Sequence, residues 1–216
     1  MDDRTIEYYQ KRVSDSGGIY GPSEVQEDFD WVTRWLQQNV AESDVLEIAC
    51  GTGHWTKAAS ETARRVVGTD INTNLLQAAR HTLQVRPVDL VAADGYQLPL
   101  IDNAFDCGFA AFWLSHVPRA DIPSFLNAFV RHLKLRGRLL FIDTKWVEGY
   151  RKPIARRDED GNTYQWRTLK DGSRYEILKN YFTEQELIGF LESFGKVQVW
   201  ELKYVWAISV CCVRST

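Results

Sequence analysis

Short apolar stretches alternate with longer amphipathic ones along the first two thirds of the chain. Four of the short stretches are typical of strands, at residues 45–48, 66–70, 88–93 and 105–111. A fifth strand is expected within residues 133–143, after the end of a helix and a turn at residues 136–138. The stretches between them carry apolar side chains at helical spacing, which predicts helices at about 54–63, 72–82 and 121–134. This alternation predicts a mainly parallel sheet with helices on both faces.

Helical patterns also flank this region. At the N-terminal side, a capping box at residues 23–26 opens a helix whose face is formed by Val25, Phe29, Val32 and Leu36. A short helix at 6–12 and a flexible connector at 17–22 precede it. At the C-terminal side, a second capping box at 183–186 opens another helix. Two strands follow at 197–202 and 204–213, and their short connection predicts an antiparallel pair.

Residues 145–180 differ from this pattern because they are rich in arginine and aromatic side chains. Alternation around Tyr164 and Trp166, followed by Asp171-Gly172, predicts a β-hairpin. About 35 residues cannot bury a core alone, so we interpret the segment as an insertion. One domain over 1–216 is expected, made of an N-terminal helical lid (1–40), a ligand-binding core (41–144), the insertion (145–180), and a closing helix and hairpin (181–216).

The turn after the first strand is the strongest indication of a ligand site. Residues 45–56 read VLEIACGTGHWT, so a strand enters a turn with Gly51 and Gly53 and a helix leaves it. Glycines let a backbone approach a ligand, and a helix N-terminus presents N–H groups to it. A dinucleotide fingerprint would need Gly or Ala where Thr56 stands, and Glu47 would put a negative charge near phosphates. A plain strand–turn–helix corner is the alternative.

Acidic residues end the next two strands. Asp70 lies 19 residues after Gly51, close to the spacing of a ribose-binding carboxylate. A carboxylate there can accept hydrogen bonds from both ribose hydroxyls, although a helix-capping role fits the position as well. Asp94 and Gly95 follow the third strand.

These segments together resemble the class I S-adenosylmethionine-dependent methyltransferases. The first motif of that family is E/D-x-G-x-G-x-G, which Glu47, Gly51 and Gly53 match, with Ala49 replacing the first glycine. Residues 98–106 match the family's "LP…FD" run, whereas residues 136–138 replace its usual Pro-Gly-Gly turn. The resemblance covers residues 40–145 and implies an α/β, Rossmann-like, seven-stranded, mostly parallel sheet of order 3-2-1-4-5-7-6 whose last strand is antiparallel.

The resemblance also implies S-adenosyl-L-methionine (SAM) as the cofactor, and a set of residues that bind it. Asp70 would bind the ribose and Asp94 the adenine amino group. An N-terminal segment with tyrosines would fold over the cofactor, with Arg12 on its methionine carboxylate. The implied cofactor-binding residues are Glu47, Ala49, Gly51, Gly53, Trp55, Asp70, Ile71, Asp94, Gly95, Phe112, Tyr8 and Arg12.

The loop after the fourth strand contains the candidate catalytic residue, His116. A histidine titrates near neutral pH and can take a proton from a hydroxyl or ammonium group, although His116 would fit a purely structural role in the loop too. The Asp/Asn-Pro-Pro-Tyr/Phe motif of DNA amino-methyltransferases is absent here. Residues 1–22 and 145–180 are expected to form the acceptor pocket and its lid together, and the arginines of the insertion to pair with an acidic group on the acceptor. A solvated basic hairpin is the alternative for the insertion. The candidate substrate residues are Trp113, His116, Trp146, Tyr150, Arg156 and Trp166.

Composition narrows the function further. The net charge of −3 over 216 residues argues against a nucleic-acid partner, and no apolar stretch reaches the length of a membrane span. The four cysteines show no metal-binding spacing, so no metal is expected, and with the acidic start they suggest a cytoplasmic protein. The sequence therefore predicts a SAM-dependent methyltransferase for an oxygen or nitrogen of a small molecule. The alternatives are a protein or peptide acceptor, a nicotinamide-dependent oxidoreductase, or a non-catalytic cofactor-binding protein.

Overall fold

The computed structural model describes residues 3–12, 25–83 and 88–211. Its main sheet has seven strands in the order β3-β2-β1-β4-β5-β10-β9. The strands that build it are β1 (Asp44–Ile48), β2 (Arg65–Asp70), β3 (Val88–Ala92), β4 (Phe105–Ala111), β5 (Leu133–Thr144), β9 (Lys196–Glu201) and β10 (Val205–Cys211). The first five pair in parallel, and β10 pairs antiparallel with both β5 and β9. Counted within this sheet alone, β9 and β10 are the sixth and seventh strands, so the predicted order 3-2-1-4-5-7-6 is confirmed.

Helices cover both faces of the sheet. They are α1 (Asp3–Arg12), α2 (Gln26–Val40), α3 (His54–Ala59), α4 (Thr73–Thr82), α5 (Ile122–Val130) and α6 (Glu184–Leu191). The predicted capping box at the start of α6 is present, since Thr183 and Glu186 bond reciprocally to each other's backbone N–H groups. The connector predicted at 17–22 and the first two residues of the box predicted at 23–26 lie outside the described residues. No helix in the described ranges is long and apolar enough to span a bilayer.

The core lies in two layers, one on each side of the sheet. Along β1 the side chains alternate, so Val45 belongs to one layer while Leu46 and Ile48 belong to the other. The first layer contains Val32 and other apolar residues of α2 and α3, and the second contains the phenylalanines of α5. Because β1 to β5 pair in parallel, their carboxyl ends all lie at one edge of the sheet. In such sheets this edge is where ligands bind.

The insertion forms a second, three-stranded antiparallel sheet. Its strands are β6 (Arg156–Arg157), β7 (Thr163–Thr168) and β8 (Arg174–Leu178), and the pair β7–β8 is the hairpin that the sequence predicts. Helix α1 packs on β8, with the rings of Tyr8 and Tyr175 5.8 Å apart. The N-terminal helix and the insertion therefore form one cover over the carboxyl edge of the main sheet.

Some predicted boundaries are wrong. The helix expected to continue to residue 134 ends at Val130, and Leu133 already pairs with Phe105 in the sheet. Strand β5 then passes a bulge, and Arg136 adopts a left-handed φ of 66°. Asp121 precedes α5 but makes no side-chain capping bond. The helix predicted for 54–63 ends at Ala59.

Candidate functional site

The turn between β1 and α3 has an unusual backbone. Ala49, Gly51 and Gly53 have φ values of 57°, 56° and 84°, all in the left-handed region. A side chain added at Gly51 would meet no atom within 4 Å, so this glycine faces open space at the edge of the sheet. Phe112, at the end of the neighbouring strand β4, is also left-handed, with a φ of 58°. Backbone strain of this kind tends to cluster at functional sites.

Asp70 connects the ends of β1 and β2. One carboxylate oxygen accepts from the Gly51 N–H over 2.9 Å and the other from the Asn72 N–H over 2.8 Å. Burial raises the pKa of Asp70 above its usual value, and these backbone donors oppose that rise. Each oxygen retains a further lone pair, so the carboxylate can hold the turn and still accept hydrogen bonds from a ligand.

Two of the predicted cofactor-binding residues, Gly53 and Glu47, are buried beneath the turn. The position of Gly53 is enclosed by α4, because an added Cβ would lie 3.1 Å from Leu83 and 3.2 Å from Ala79. Glu47 is buried, and one of its carboxylate oxygens has no hydrogen-bond partner in the described part of the chain. Burial raises the pKa of Glu47 to about 8, and Asp70 adds to the rise. Both residues therefore support the turn from the protein interior.

A cavity of about 540 Å³ lies between the sheet edge and the cover formed by α1 and the insertion. At one end it reaches the β1 turn and the ends of β2 and β3, and at the other it reaches the insertion. Phe112 lies between the two ends, with its ring 5.8 Å from that of Trp55. The predicted cofactor-binding residues that line the cavity are Tyr8, Arg12, Ala49, Gly51, Trp55, Asp70, Ile71, Asp94, Gly95 and Phe112.

The candidate catalytic residue, His116, also lines the cavity and is almost completely buried. Its Nδ1 lies 2.6 Å from the carbonyl oxygen of Leu178, which can only accept, so Nδ1 carries the ring proton. Nε2 then accepts from the hydroxyl of Tyr9 at 3.0 Å. Burial lowers the pKa of His116 to about 3, and the charge of Lys179 contributes to the shift. His116 is therefore a neutral imidazole at physiological pH.

A buried ion pair joins the insertion to the main sheet beside His116. Lys179 donates to Asp143 over 3.1 Å and to the hydroxyl of Ser115 over 2.6 Å. Asp143 also accepts from the backbone N–H of Ser115 over 2.8 Å. Burial lowers the pKa of Lys179 despite its carboxylate partner, whereas Lys179 holds the pKa of Asp143 below its usual value against the effect of burial. This pair fixes the position of the loop that carries His116.

The structure places the candidate substrate residues in two groups. Trp113, His116 and Tyr150 line the cavity, whereas Trp146, Arg156 and Trp166 do not. A role in acceptor binding for these last three stays a prediction. Trp166 lies outside the lining because the even-numbered positions of β7 face outwards. Trp166 is 45% exposed and stacks under Arg174, and Arg156 pairs with Glu176.

The odd-numbered positions of β7 form the inner face of the hairpin. Gln165 is completely buried and donates to the Lys152 carbonyl, and Arg167 lines the cavity. Tyr9, Lys179 and Tyr181 also line it and are absent from the predicted set. The alternation of side chains along β7 places Gln165 and Arg167 on the same face, but no local sequence feature indicates which face of the hairpin lies against the cavity.

The sequence core matches a known domain model. The model described as "Methyltransferase domain" covers residues 45–137. The demethylmenaquinone methyltransferase of Corynebacterium kroppenstedtii is 39% identical over 95 residues, which are 44% of this chain and 39% of that protein. The protein of the same name from Bacillus cereus is 32% identical over 108 residues, 47% of this chain and 45% of that protein. The matched chain thus spans less than half the length of these curated relatives.

Solved structures match nearly the whole chain. A DhpI–SAH complex superposes with a TM-score of 0.79 at 25% identity, over 98% of this chain and 96% of that chain. A DhpI–SAM–HEP complex gives a TM-score of 0.78 at 26% identity, over 96% of each. A SAM-dependent methyltransferase from Methanosarcina mazei, at 20% identity and a TM-score of 0.69 over 84% of this chain and 98% of that one, shares the fold.

Proposed function

We propose that this chain is a class I S-adenosylmethionine-dependent methyltransferase that transfers the methyl group of SAM to an oxygen or nitrogen of a small-molecule acceptor. The observation that carries the proposal is a continuous cavity of about 540 Å³, lined both by residues suited to the cofactor and by residues of the insertion. Its volume lies in the range of small-molecule sites, roughly 300–1,000 Å³.

The residues at the sheet edge fit SAM. The open space at Gly51 lets a ligand approach the backbone, which a side chain at that position would prevent. Asp70 and Asp94 end successive parallel strands and line the same end of the cavity, so they can accept from ribose hydroxyls and from the adenine amino group. Ile71 and Trp113 provide apolar surface beside them. Arg12 reaches the cavity from α1 and suits the methionine carboxylate.

SAM held by these residues would supply a methyl group activated by a positively charged sulfur. The protein's contribution is to align the acceptor with the methyl carbon and to exclude water. Helix α1 and the insertion would provide the exclusion, since they pack on each other and line the cavity. Trp113 and Tyr150 line the cavity and would restrict the orientation of an acceptor there.

An oxygen or ammonium acceptor must also lose a proton. Tyr9 and His116 form a hydrogen-bonded pair on the cavity wall, with Nε2 of His116 as the accepting end. The acceptor's proton passes to the Tyr9 oxygen as the Tyr9 proton moves to Nε2, and the resulting imidazolium is stabilised by its bond from Nδ1–H to the Leu178 carbonyl. The low pKa of His116 favours return of the proton to solvent after the transfer.

The cover favours a small acceptor over a protein or peptide one. Tyr8 packs under Tyr175 of the insertion, and Lys11 donates to the Tyr175 hydroxyl over 2.8 Å, so α1 closes one side of the cavity. A protein side chain would have to enter past these contacts. The curated relatives are named for a quinone acceptor, but less than half of each protein matches this chain, so their names do not assign a quinone acceptor to it.

Methyl transfer to a metabolite tests the proposal. The protein is incubated with methyl-labelled SAM and a fractionated extract of small metabolites, and label in acceptors is measured by mass spectrometry. Transfer to a small molecule supports the proposal. Transfer only to added protein would favour the peptide-acceptor alternative, and cofactor binding without transfer to any fraction would favour a non-catalytic binding protein.

A further inference from the structure

Cationic side chains line the cavity, and most of them belong to the insertion. The five are Arg12, Arg151, Lys152, Arg167 and Lys179. Two are already engaged, since Lys179 pairs with Asp143 and Arg151 donates to the carbonyl oxygens of Lys145 and Tyr204. These two serve the architecture of the cover and are not free to bind a ligand strongly.

The other three, Arg12, Lys152 and Arg167, pair with no carboxylate in residues 3–12, 25–83 and 88–211. All three line the same cavity. The pKa of Lys152 is lowered by burial and then by the charges of Arg167 and Arg12. Arg167 likewise lowers the pKa of His116, after burial and the larger effect of Lys179. Unpaired like charges in a partly buried site raise the energy of the empty protein, and a bound anion would lower it.

The acidic residues of the cavity lie at the other end. Among its described lining residues the only carboxylates are Asp70 and Asp94, which follow β2 and β3 at the cofactor end. Arg167 instead projects from the inner face of β7, next to Gln165, and Lys152 lies at the rim. The cavity therefore has a carboxylate end suited to a nucleoside and a cationic end within the insertion.

We propose that Arg167 and Lys152 bind an oxyanion of the acceptor, so that the methylated molecule is a small organic anion carrying a carboxylate or a phosphate-type group. This inference rests on the proposed function and specifies its acceptor class. Arg167 offers a planar pair of donors that matches either oxyanion, and Lys152 adds a second charge. With Arg12 directed to the cofactor carboxylate, two cations remain for the acceptor. A neutral, apolar acceptor would desolvate the half-buried Arg167 without compensation, which is unfavourable.

Anion binding to the cofactor-loaded protein tests the inference. Protein saturated with S-adenosylhomocysteine (SAH) is titrated with inorganic phosphate and, separately, with sodium acetate, and sodium chloride at matched ionic strength is the blank. Saturable binding of one of the two probes is expected, and the preferred probe identifies the oxyanion class. Arg167→Gln should weaken it by at least about tenfold, and Lys152→Gln should weaken it in the same direction.

Arg174→Gln is the matched control, because Arg174 lies in the same small sheet but faces outwards over Trp166. This variant should bind the probe like the parent, and all three variants should bind SAH within about twofold of it. The inference is overturned if neither probe exceeds the chloride blank, or if Arg174→Gln weakens binding as much as Arg167→Gln. A loss of SAH affinity in Arg167→Gln would assign Arg167 to the cofactor. Failure of the parent protein to bind SAH at all would instead contradict the proposed function.

Discussion

The hydroxyl of Tyr9 lies 3.0 Å from Nε2 of His116, although the two residues are 107 positions apart in the sequence. Their rings meet edge to face, with centroids 5.3 Å apart. One residue belongs to α1 and the other to the loop after β4, so the contact connects the cover to the edge of the main sheet. The packing of α1 therefore places Tyr9 against the proposed proton acceptor.

Removal of the proton acceptor should reduce turnover more than cofactor affinity. We expect His116→Ala to lower kcat by about 10²-fold or more, the usual cost of losing a general base, while SAH binding stays within about twofold of the parent. Tyr9→Phe should lower kcat in the same direction. Tyr164→Phe is the control, since Tyr164 bonds to Asp158 on the outer part of the insertion. Turnover of His116→Ala within a few-fold of the parent would leave His116 a structural role only.

The pH profile of turnover should lack the inflection near pH 6.5 that an ordinary histidine would give. Because burial lowers the pKa of His116 to about 3, the imidazole is neutral throughout the range from about pH 5 to 8. On this account kcat does not fall through a group with a pKa near 6.5 as the pH is lowered. Steady-state rates from pH 5 to 8 measure this directly, and an inflection near 6.5 that disappears in His116→Ala would contradict it.

Glu47 should make stability dependent on pH. Its pKa is raised to about 8 in the folded chain, against an unfolded value of 4.5, so the protonated form stabilises the fold. That contribution is complete below pH 4.5 and is lost as the pH rises through about 8. Glu47→Gln cannot ionise, so its Tm relative to the parent should increase between pH 5 and 9. Glu159→Gln, an exposed control, should show a constant difference.

A constant Tm difference between Glu47→Gln and the parent across this range would mean that Glu47 is ionised and paired in the folded chain. The variant also separates stability from binding. Glu47 is outside the cavity lining, so the cofactor affinity of Glu47→Gln should change less than that of a variant at Asp70.

The ion pair between Lys179 and Asp143 should be important for stability. Both side chains are buried, and loss of one partner leaves the other charge uncompensated, which typically costs about 3–5 kcal/mol. We expect Lys179→Met to lower the free energy of unfolding by that amount in a denaturant titration. Lys196→Met, an exposed lysine at the start of β9, should change it by less than about 0.5 kcal/mol. A similar small effect for Lys179→Met would show that the pair is not needed for the fold.

The features that the sequence predicts well are those fixed by local order along the chain. The strand order, the left-handed turn with Gly51 and the placement of Asp70 beside that turn depend on strand–turn–helix units that recur in sequence. The sequence pattern assigns Leu133 to α5 instead of β5 for a physical reason. Its side chain continues the apolar stripe of α5 and enters the same core layer, although its backbone already belongs to β5.

The inner face of the insertion could not be predicted. Alternation shows that Tyr164 and Trp166 share one face and that Gln165 and Arg167 share the other, and aromatic side chains favour burial. The structure buries the polar face because it covers a cavity, where Gln165 bonds to the Lys152 carbonyl and the Tyr181 hydroxyl. The contact of Tyr9 with His116 likewise depends on how α1 packs on β8, which no local pattern encodes.

Binding of the cofactor is the most direct test of the central claim. By calorimetry, the protein should bind SAM and SAH and should not bind nicotinamide dinucleotides. Asp70→Ala should weaken the binding of SAM by about 1–3 kcal/mol, the cost of a lost charged hydrogen bond, whereas Asp89→Ala, an exposed change on β3, should leave it unaltered. Tight binding of a dinucleotide, or a SAM affinity that Asp70→Ala leaves unchanged, would contradict the account.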